Sequence, residues 1–245
     1  MDLYLSGLLS DKNILNQVNL GDWNVLQAFP YMKNDSHIYI NQCRNFLLDS
    51  GAFTMMNKKN SKNFNIVEYT KKYAEYIKKY DVKDFIELDI DGVYGIQTYK
   101  DCLHQLQDIT GKNPIKVFHT WRGLDYYKEL VKKENRICIG GIAIKHIKES
   151  DYDMFLPLIK IAHDNNCKVH GLGLTGSANL RKYNFDSVDS SRYTMAGRCA
   201  QVQRFDGHSI IAKDICSSDH TFDTSVILNY DLLSWKKYSE YLIDF

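Results

Sequence analysis

Apolar residues in this chain gather in short blocks, each running into a polar or glycine-containing turn and then into a stretch of helical periodicity. The blocks are "LYLSGL" (3–8), "NVLQAFPYM" (24–32), "NFLLDSGAF" (45–53), "DFIELDIDG" (84–92), "IKVFHTW" (115–121), "RICIGGIA" (136–143), "CKVHGLGL" (167–174) and "FDSVDSS" (185–191). Blocks so nearly continuous in apolar character predict strands of a buried parallel sheet, with helices covering its outer face.

The intervening stretches supply those helices. In "NIVEYTKKYAEYIKKY", Ile66, Tyr69, Tyr73, Ile77 and Tyr80 recur at spacings of three and four, and Asn65 with Glu68 forms a capping-box signal at its start. In "QTYKDCLHQLQDITG" the stripe is Tyr99, Cys102, Leu103 and Leu106, with Gly111 at the stop. "DYYKELVKKEN" and "DYDMFLPLIKIAHDNN" each open on an aspartate that predicts an N-cap, and Pro157 falls early enough to be tolerated. The tail, residues 223–245, predicts a C-terminal helix. Eight strands alternating with helices point to an α/β fold, a single (β/α)8 TIM-type barrel spanning residues 1–245, rather than an open sheet. The helices of the first two repeats are poorly marked.

Composition narrows the class. The length of 245 residues suits one such barrel, and an apolar share of 44% with 25% charged residues excludes global disorder. No apolar run approaches the ~18 residues of a membrane span, and "MDLYLSGLLSDKN" lacks the basic start of a signal peptide; both predict a soluble, cytoplasmic protein. The six cysteines are scattered without a C-x-x-C pair, so free thiols are expected. A net charge of +1 neither supports nor excludes a nucleic-acid partner, and lysine clusters such as "TKKY" and "IKKY" suit solvated helix faces.

In a parallel barrel the carboxyl ends of the strands converge on the face where catalytic groups sit. The ends here carry Asp49 and Ser50, Asp89 and Asp91, His119, Gly140 and Gly141, Gly171 and Gly173, and Asp186 and Asp189. Plainer readings stand beside the functional one. Asp49 before Ser50-Gly51 can be an Asx-turn, and for Asp91 before Gly92 the turn reading is the stronger, leaving Asp89 the better pocket candidate. His119 can be a packed histidine of the rim. "GLGLTG" lacks the spacing of a dinucleotide fingerprint. Cys199, His208, Cys216 and His220 are too irregularly spaced for a usual zinc site.

Taken in order, "LLDSGAF", "ELDID", "IGGIA", "VHGLGLTG" and "FDSVDSSRY" resemble the tRNA-guanine transglycosylase superfamily. The similarity is greatest to its short phage-type branch, the DNA-guanine transglycosylases (DpdA), and covers roughly residues 24–205. The resemblance implies a (β/α)8 barrel that exchanges guanine in a polynucleotide for a 7-deazaguanine base such as preQ0, a modification that shields phage DNA from host restriction. It implies that Asp49, beside Ser50, Gly51 and Phe53, stands near the reacting base and ribose. By the same resemblance Asp89 reads the guanine amino edge, with Asp91 nearby, and the amides of Gly140 and Gly141, followed by Ile142, meet the base carbonyl. The nucleophile is implied on the strand after the glycine-rich "GLG". Asp189 lies nearer the expected offset and is preferred, with Asp186 in reserve.

Two departures matter. The C-x-C-x-x-C and later His that hold structural zinc in the tRNA enzymes have no counterpart here, which fits the DNA-directed branch; no cofactor or metal is expected. Where the tRNA enzymes carry a Gln, this chain has His119 and Thr120. The expected partners are DNA with an extruded or single-stranded guanine and a free 7-deazaguanine base, in the host cytoplasm if the chain is phage-encoded. Phe53, Tyr94, Trp121 and Tyr193 are candidates to sandwich the base, and Lys145, His146, Arg192 and Arg198 to meet phosphates. A tRNA-guanine exchange enzyme, a non-catalytic binding subunit and a metal-dependent barrel hydrolase stay open, as does a homodimer.

Overall fold

The computed structural model describes residues 1–10, 12–33, 35–52, 54, 64–142, 146–174, 180–194, 201–214 and 224–244. Its contacts divide the chain into two compact units: residues 1–6, 11–19 and 118–245 in the first, residues 7–10 and 20–117 in the second.

In the first unit the strands are β1 (Asp2–Ser6), β5 (Arg136–Ile139), β6 (Lys168–Gly171) and β7 (Ser187–Ser190), adjacent in the order β1-β7-β6-β5 and all parallel. β4 (Lys116–Phe118) lies across the division between the units. Leu3, Leu5, Ile137, Cys138, Ile139, Val169 and Val188 are almost completely buried, as expected of strands apolar on both faces. The helix α4 (Phe155–Asp164) packs on β6, and α3 (Leu124–Lys133) packs on α4, the buried Tyr127 hydroxyl donating to Leu158 O at 2.8 Å. Neither opens on the aspartate that its sequence suggests. Gly123 is the N-cap of α3, with Asp125 inside the first turn, and Asp151 belongs to a 3-10 turn (Glu149–Met154) that precedes α4.

The second unit pairs β2 (Asn24–Ala28) with β3 (Asn45–Asp49) in parallel, so that Ala28 faces Asp49. The segment predicted as a strand at 84–92 is extended only at its start, where Phe85 bridges Leu48 and Ile86 bridges Ile115, both parallel. It ends early because the helix α2 (Asp91–Thr110) begins at once, eight residues before its apolar stripe opens at Tyr99. Gly95 (φ 82°, ψ 164°) breaks α2 after its first turn, and Gly111 in the left-handed region stops it. The helix α1 (Ile66–Lys79) starts as its sequence predicts, with the Asn65 side chain accepting the Glu68 amide at 3.0 Å. Its lysines face solvent, Lys72 3.5 Å from Glu68 and Lys71 3.9 Å from Glu75. The first two repeats carry only one-turn helices, Lys12–Leu15 and His37–Ile40.

A hairpin goes beyond the sequence reading, and the predicted C-terminal helix docks on it. Residues 201–214 hold an antiparallel hairpin, β8 (Gln201–Phe205) and β9 (Ile210–Asp214), turning at Gly207 with φ 104°. The C-terminal helix, α5 (Thr224–Ile243), packs against it through a buried polar knot. There the Gln203 amide donates to Asp231 Oδ1 at 2.8 Å, and Trp235 Nε1 donates to Gln203 Oε1 at 2.7 Å. Among the described residues no helix is long and apolar enough to cross a membrane.

Candidate functional site

In the first unit the two rival aspartates lie at opposite ends of β7. Asp186 precedes the strand, and its Oδ2 accepts the Val169 amide at 2.7 Å and lies 2.9 Å from His163 Nε2 at the end of α4. That is the amino end of a parallel strand, the structural face of a barrel. Asp189 sits near the carboxyl end, beside Tyr4 of β1 in register, and only 7% of its surface is exposed. Its Oδ1 accepts the Gly173 amide at 2.6 Å. Position therefore favours Asp189 over the reserve candidate.

The glycines around Asp189 are used by the protein itself. Gly173 has φ +67° and aims its amide at the carboxylate, rather than at a ligand as the strand-end pattern suggests. A Cβ on Gly171 would lie 3.1 Å from Leu174 and 3.2 Å from Phe185, so close packing explains that glycine. The Gly140 amide donates to Phe118 O at 3.0 Å and is committed to the backbone, against the expectation that it meets a base. Gly141 (φ 98°) turns the chain so that its carbonyl accepts the amides of His146 and Ile147, and Ile142 is buried.

Beyond β4, His119 is buried and stacks face to face on Trp121, with ring centres 4.0 Å apart at 8°. His146 meets the same indole edge-on at 5.2 Å, and Trp121 remains 45% exposed. A half-exposed indole backed by an imidazole is a platform for a flat ring. Tyr193 is no such platform: it is fully buried and its hydroxyl donates to Ser6 O at 3.1 Å. Arg192 follows β7 in a single 3-10 turn (Arg192–Thr194), and its carbonyl accepts from Gln203 Nε2.

In the second unit Asp49 ends β3, and its Oδ2 accepts the Gly51 amide at 3.1 Å, so the Asx-turn reading holds for one of its oxygens. Gly51 has φ +63°, and a Cβ there would lie 2.5 Å from Pro30 Cδ. Ser50 is buried, its carbonyl accepting the Tyr69 hydroxyl at 2.5 Å. Tyr73 is buried between the strands and donates towards Leu48 O (3.1 Å) and Ile86 O (2.9 Å). Burial pushes the Tyr73 hydroxyl far up, and the charges of Asp49 and, more weakly, Asp89 add to it. Both carboxylates thus act on one buried phenol, which brings Asp49 and Asp89 to the same neighbourhood of this unit. Asp91 is the first helical residue of α2, after the N-cap Ile90, and Tyr94 is half-buried in the same first turn.

Two buried groups escaped the strand-end rule. Glu87 is fully buried; it accepts the Val117 amide at 2.9 Å and the Tyr99 hydroxyl at 2.7 Å, with Lys116 Nζ 3.3 Å from it. The alternation in "FIELDID" places Glu87 two residues from Asp89, which was the available signal. His170, fully buried in β6 beside Asp189, is the other. Phe53, Lys145, Arg198, Cys199, Cys216 and His220 lie outside the described residues; His208 is exposed in the hairpin turn. Among the described residues no group of three or more His, Cys, Asp or Glu could hold a metal ion.

No family model matches the sequence, and no curated protein does. Among solved structures, a mutant tryptophan synthase alpha-subunit from the hyperthermophile Pyrococcus furiosus is similar over 100% of this chain and 98% of its own, with a TM-score of 0.50 at 12% identity. That likeness concerns the fold alone. Together with seven parallel strands, an eighth segment that pairs through single bridges, and a C-terminal helix, it makes the chain an α/β protein of the TIM-barrel type.

Proposed function

We propose that this protein is a base-exchange glycosyltransferase that replaces guanine in DNA by a 7-deazaguanine, with preQ0 as the leading candidate, through a covalent Asp189–sugar intermediate. One observation carries the reading: a nearly buried carboxylate at the carboxyl end of β7, with one oxygen fixed at 2.6 Å by the Gly173 amide. Cleaving an N-glycosidic bond builds positive charge at C1′, and a positioned carboxylate both stabilises that charge and traps the sugar.

The first half-reaction forms a bond from Asp189 to C1′ while the C1′–N9 bond breaks and its electron pair leaves with guanine. Charge moving onto the purine is met by the Gly141 amide, since that of Gly140 is engaged with Phe118. In the second, the incoming base attacks C1′ as its N9 proton passes to a general base, the role that the sequence resemblance gives Asp49, and Asp189 is released. The exposed face of Trp121 stacks on the purine; the sequence resemblance gives its amino edge to Asp89. A base inside a duplex cannot reach such groups, so the target is extruded or single-stranded, at a cost of a few kcal/mol.

The test uses DNA carrying labelled guanine, with tRNA in parallel. Release of label from DNA that depends on added preQ0 is the expected result. Release from tRNA alone would transfer the reading to tRNA exchange, and no release from either would end it.

A further inference from the structure

His170 has no part in the exchange chemistry above, yet it is the fully buried ionisable neighbour of Asp189. Its Nδ1 lies 2.8 Å from Ser187 Oγ and its Nε2 3.4 Å from Asp189 Oδ1. Nε2 has no well-aligned hydrogen bond among the described residues, and the Asp189 carboxylate is the acidic group it is paired with. Tyr4 packs edge-on against the imidazole at 5.6 Å, and the Arg136 guanidinium stands 5.9 Å from the other ring of that pair. Burial, the largest influence, drives the imidazole towards its neutral form; Asp189 works against this and Arg136 with it.

A neutral imidazole carries a single N–H. A serine hydroxyl can donate or accept, whereas an ionised carboxylate only accepts. One arrangement satisfies both neighbours: Ser187 donates to Nδ1, and Nε2–H points at Asp189. We propose that His170, as the neutral Nε2–H tautomer, is a positioning residue for Asp189. With the Gly173 amide it engages Oδ1 from a second side and leaves Oδ2 as the oxygen that attacks the sugar. The proposal rests on the reading of Asp189 as the nucleophile, but its structural half can be tested without any turnover.

Two-bond proton–nitrogen spectra of histidine-labelled protein report the tautomer directly. The expected result is a neutral Nε2–H imidazole at pH 7 whose Nε2 resonance moves in Asp189→Asn, with tautomer mixing in Ser187→Ala. An imidazolium, an Nδ1–H tautomer, or an Nε2 resonance indifferent to Asp189→Asn overturns the proposal. In the exchange assay His170→Leu should lower kcat about tenfold or more with KM within about twofold, and His170→Gln, which keeps an N–H donor, should recover most of it. Equal kcat in wild type and His170→Leu also overturns it. Should the leucine variant fail to fold, Ser187→Ala takes its place, with an expected loss of about threefold and an unchanged kcat as the refuting result. If wild type exchanges no base, the proposed function falls, while the spectra still decide the tautomer.

Discussion

Asp49 and Asp189 both sit near the carboxyl end of a parallel strand, and each gives one carboxylate oxygen to a glycine amide, yet the two glycines come from different places. For Asp49 the donor is Gly51, two residues on, at 3.1 Å. For Asp189 it is Gly173, sixteen residues back on the neighbouring strand's exit turn, at 2.6 Å. A local turn holds Asp49 half-exposed at the end of its strand. The long-range bond holds Asp189 nearly buried, with His170 behind it. A half-solvated acid suits proton transfer, and a fixed, desolvated one suits attack on carbon. The difference in how the two are anchored separates their assigned roles.

The comparison breaks most decisively at Asp189. Asp189→Asn keeps an oxygen for the Gly173 amide but removes the nucleophile, so exchange should fall by about 10³-fold or more while the melting temperature stays nearly unchanged. Preserved exchange would reverse the two roles. Asp49→Asn should cost less, about 10²-fold, and chiefly in the half-reaction that incorporates the incoming base, with guanine release less affected. Quantifying release and incorporation separately checks this.

Gly51→Ala tests the local turn. Its φ of +63° and the 2.5 Å approach of Pro30 Cδ predict a loss of about 3 kcal/mol in denaturant unfolding, with a further fall in exchange. A neutral substitution would mean that the turn does not set the position of Asp49.

Asp231 supplies the control: a buried carboxylate whose only hydrogen bond among the described residues is the Gln203 amide. Burial lifts it to about 6 from the usual 3.8, only partly opposed by that amide. The folded state therefore holds a proton that the unfolded chain releases. Stability from this group is full below about pH 4 and is lost as pH rises through 6, by roughly 2–3 kcal/mol. Asp231→Asn should remove that decline and unfold later than wild type at pH 7, measured as the difference between the two proteins across pH 4–7. An unchanged difference would show that burial alone does not charge-strain an acid here.

Much of the fold was legible in the chain because its cues are local. The block "NFLLD" became β3, Asn65 capped α1, Gly111 stopped α2, and the tail formed α5. The segment at 84–92 was over-read, since its apolar run continues while Ile90–Asp91 already turns into a helix. The hairpin at 201–214 was not legible because β9 is exposed at four of its five positions and β8 buries only Gln203, so neither carries the apolar block that marks the other strands. At the candidate site the aspartates were legible as strand ends. The commitments of the Gly140 and Gly173 amides, the burial of Tyr193 and the pairing of His170 with Asp189 were not, because each depends on a neighbour supplied by another strand.

The central claim, a sugar carried covalently by Asp189, is tested most directly by denaturing the protein after incubation with guanine-containing DNA in the absence of an incoming base, and sequencing the adduct-bearing peptide by fragment mass. The account predicts the sugar mass on Asp189 and its loss in Asp189→Asn. A sugar mapped to Asp186, or no adduct under conditions where guanine is released, would contradict it.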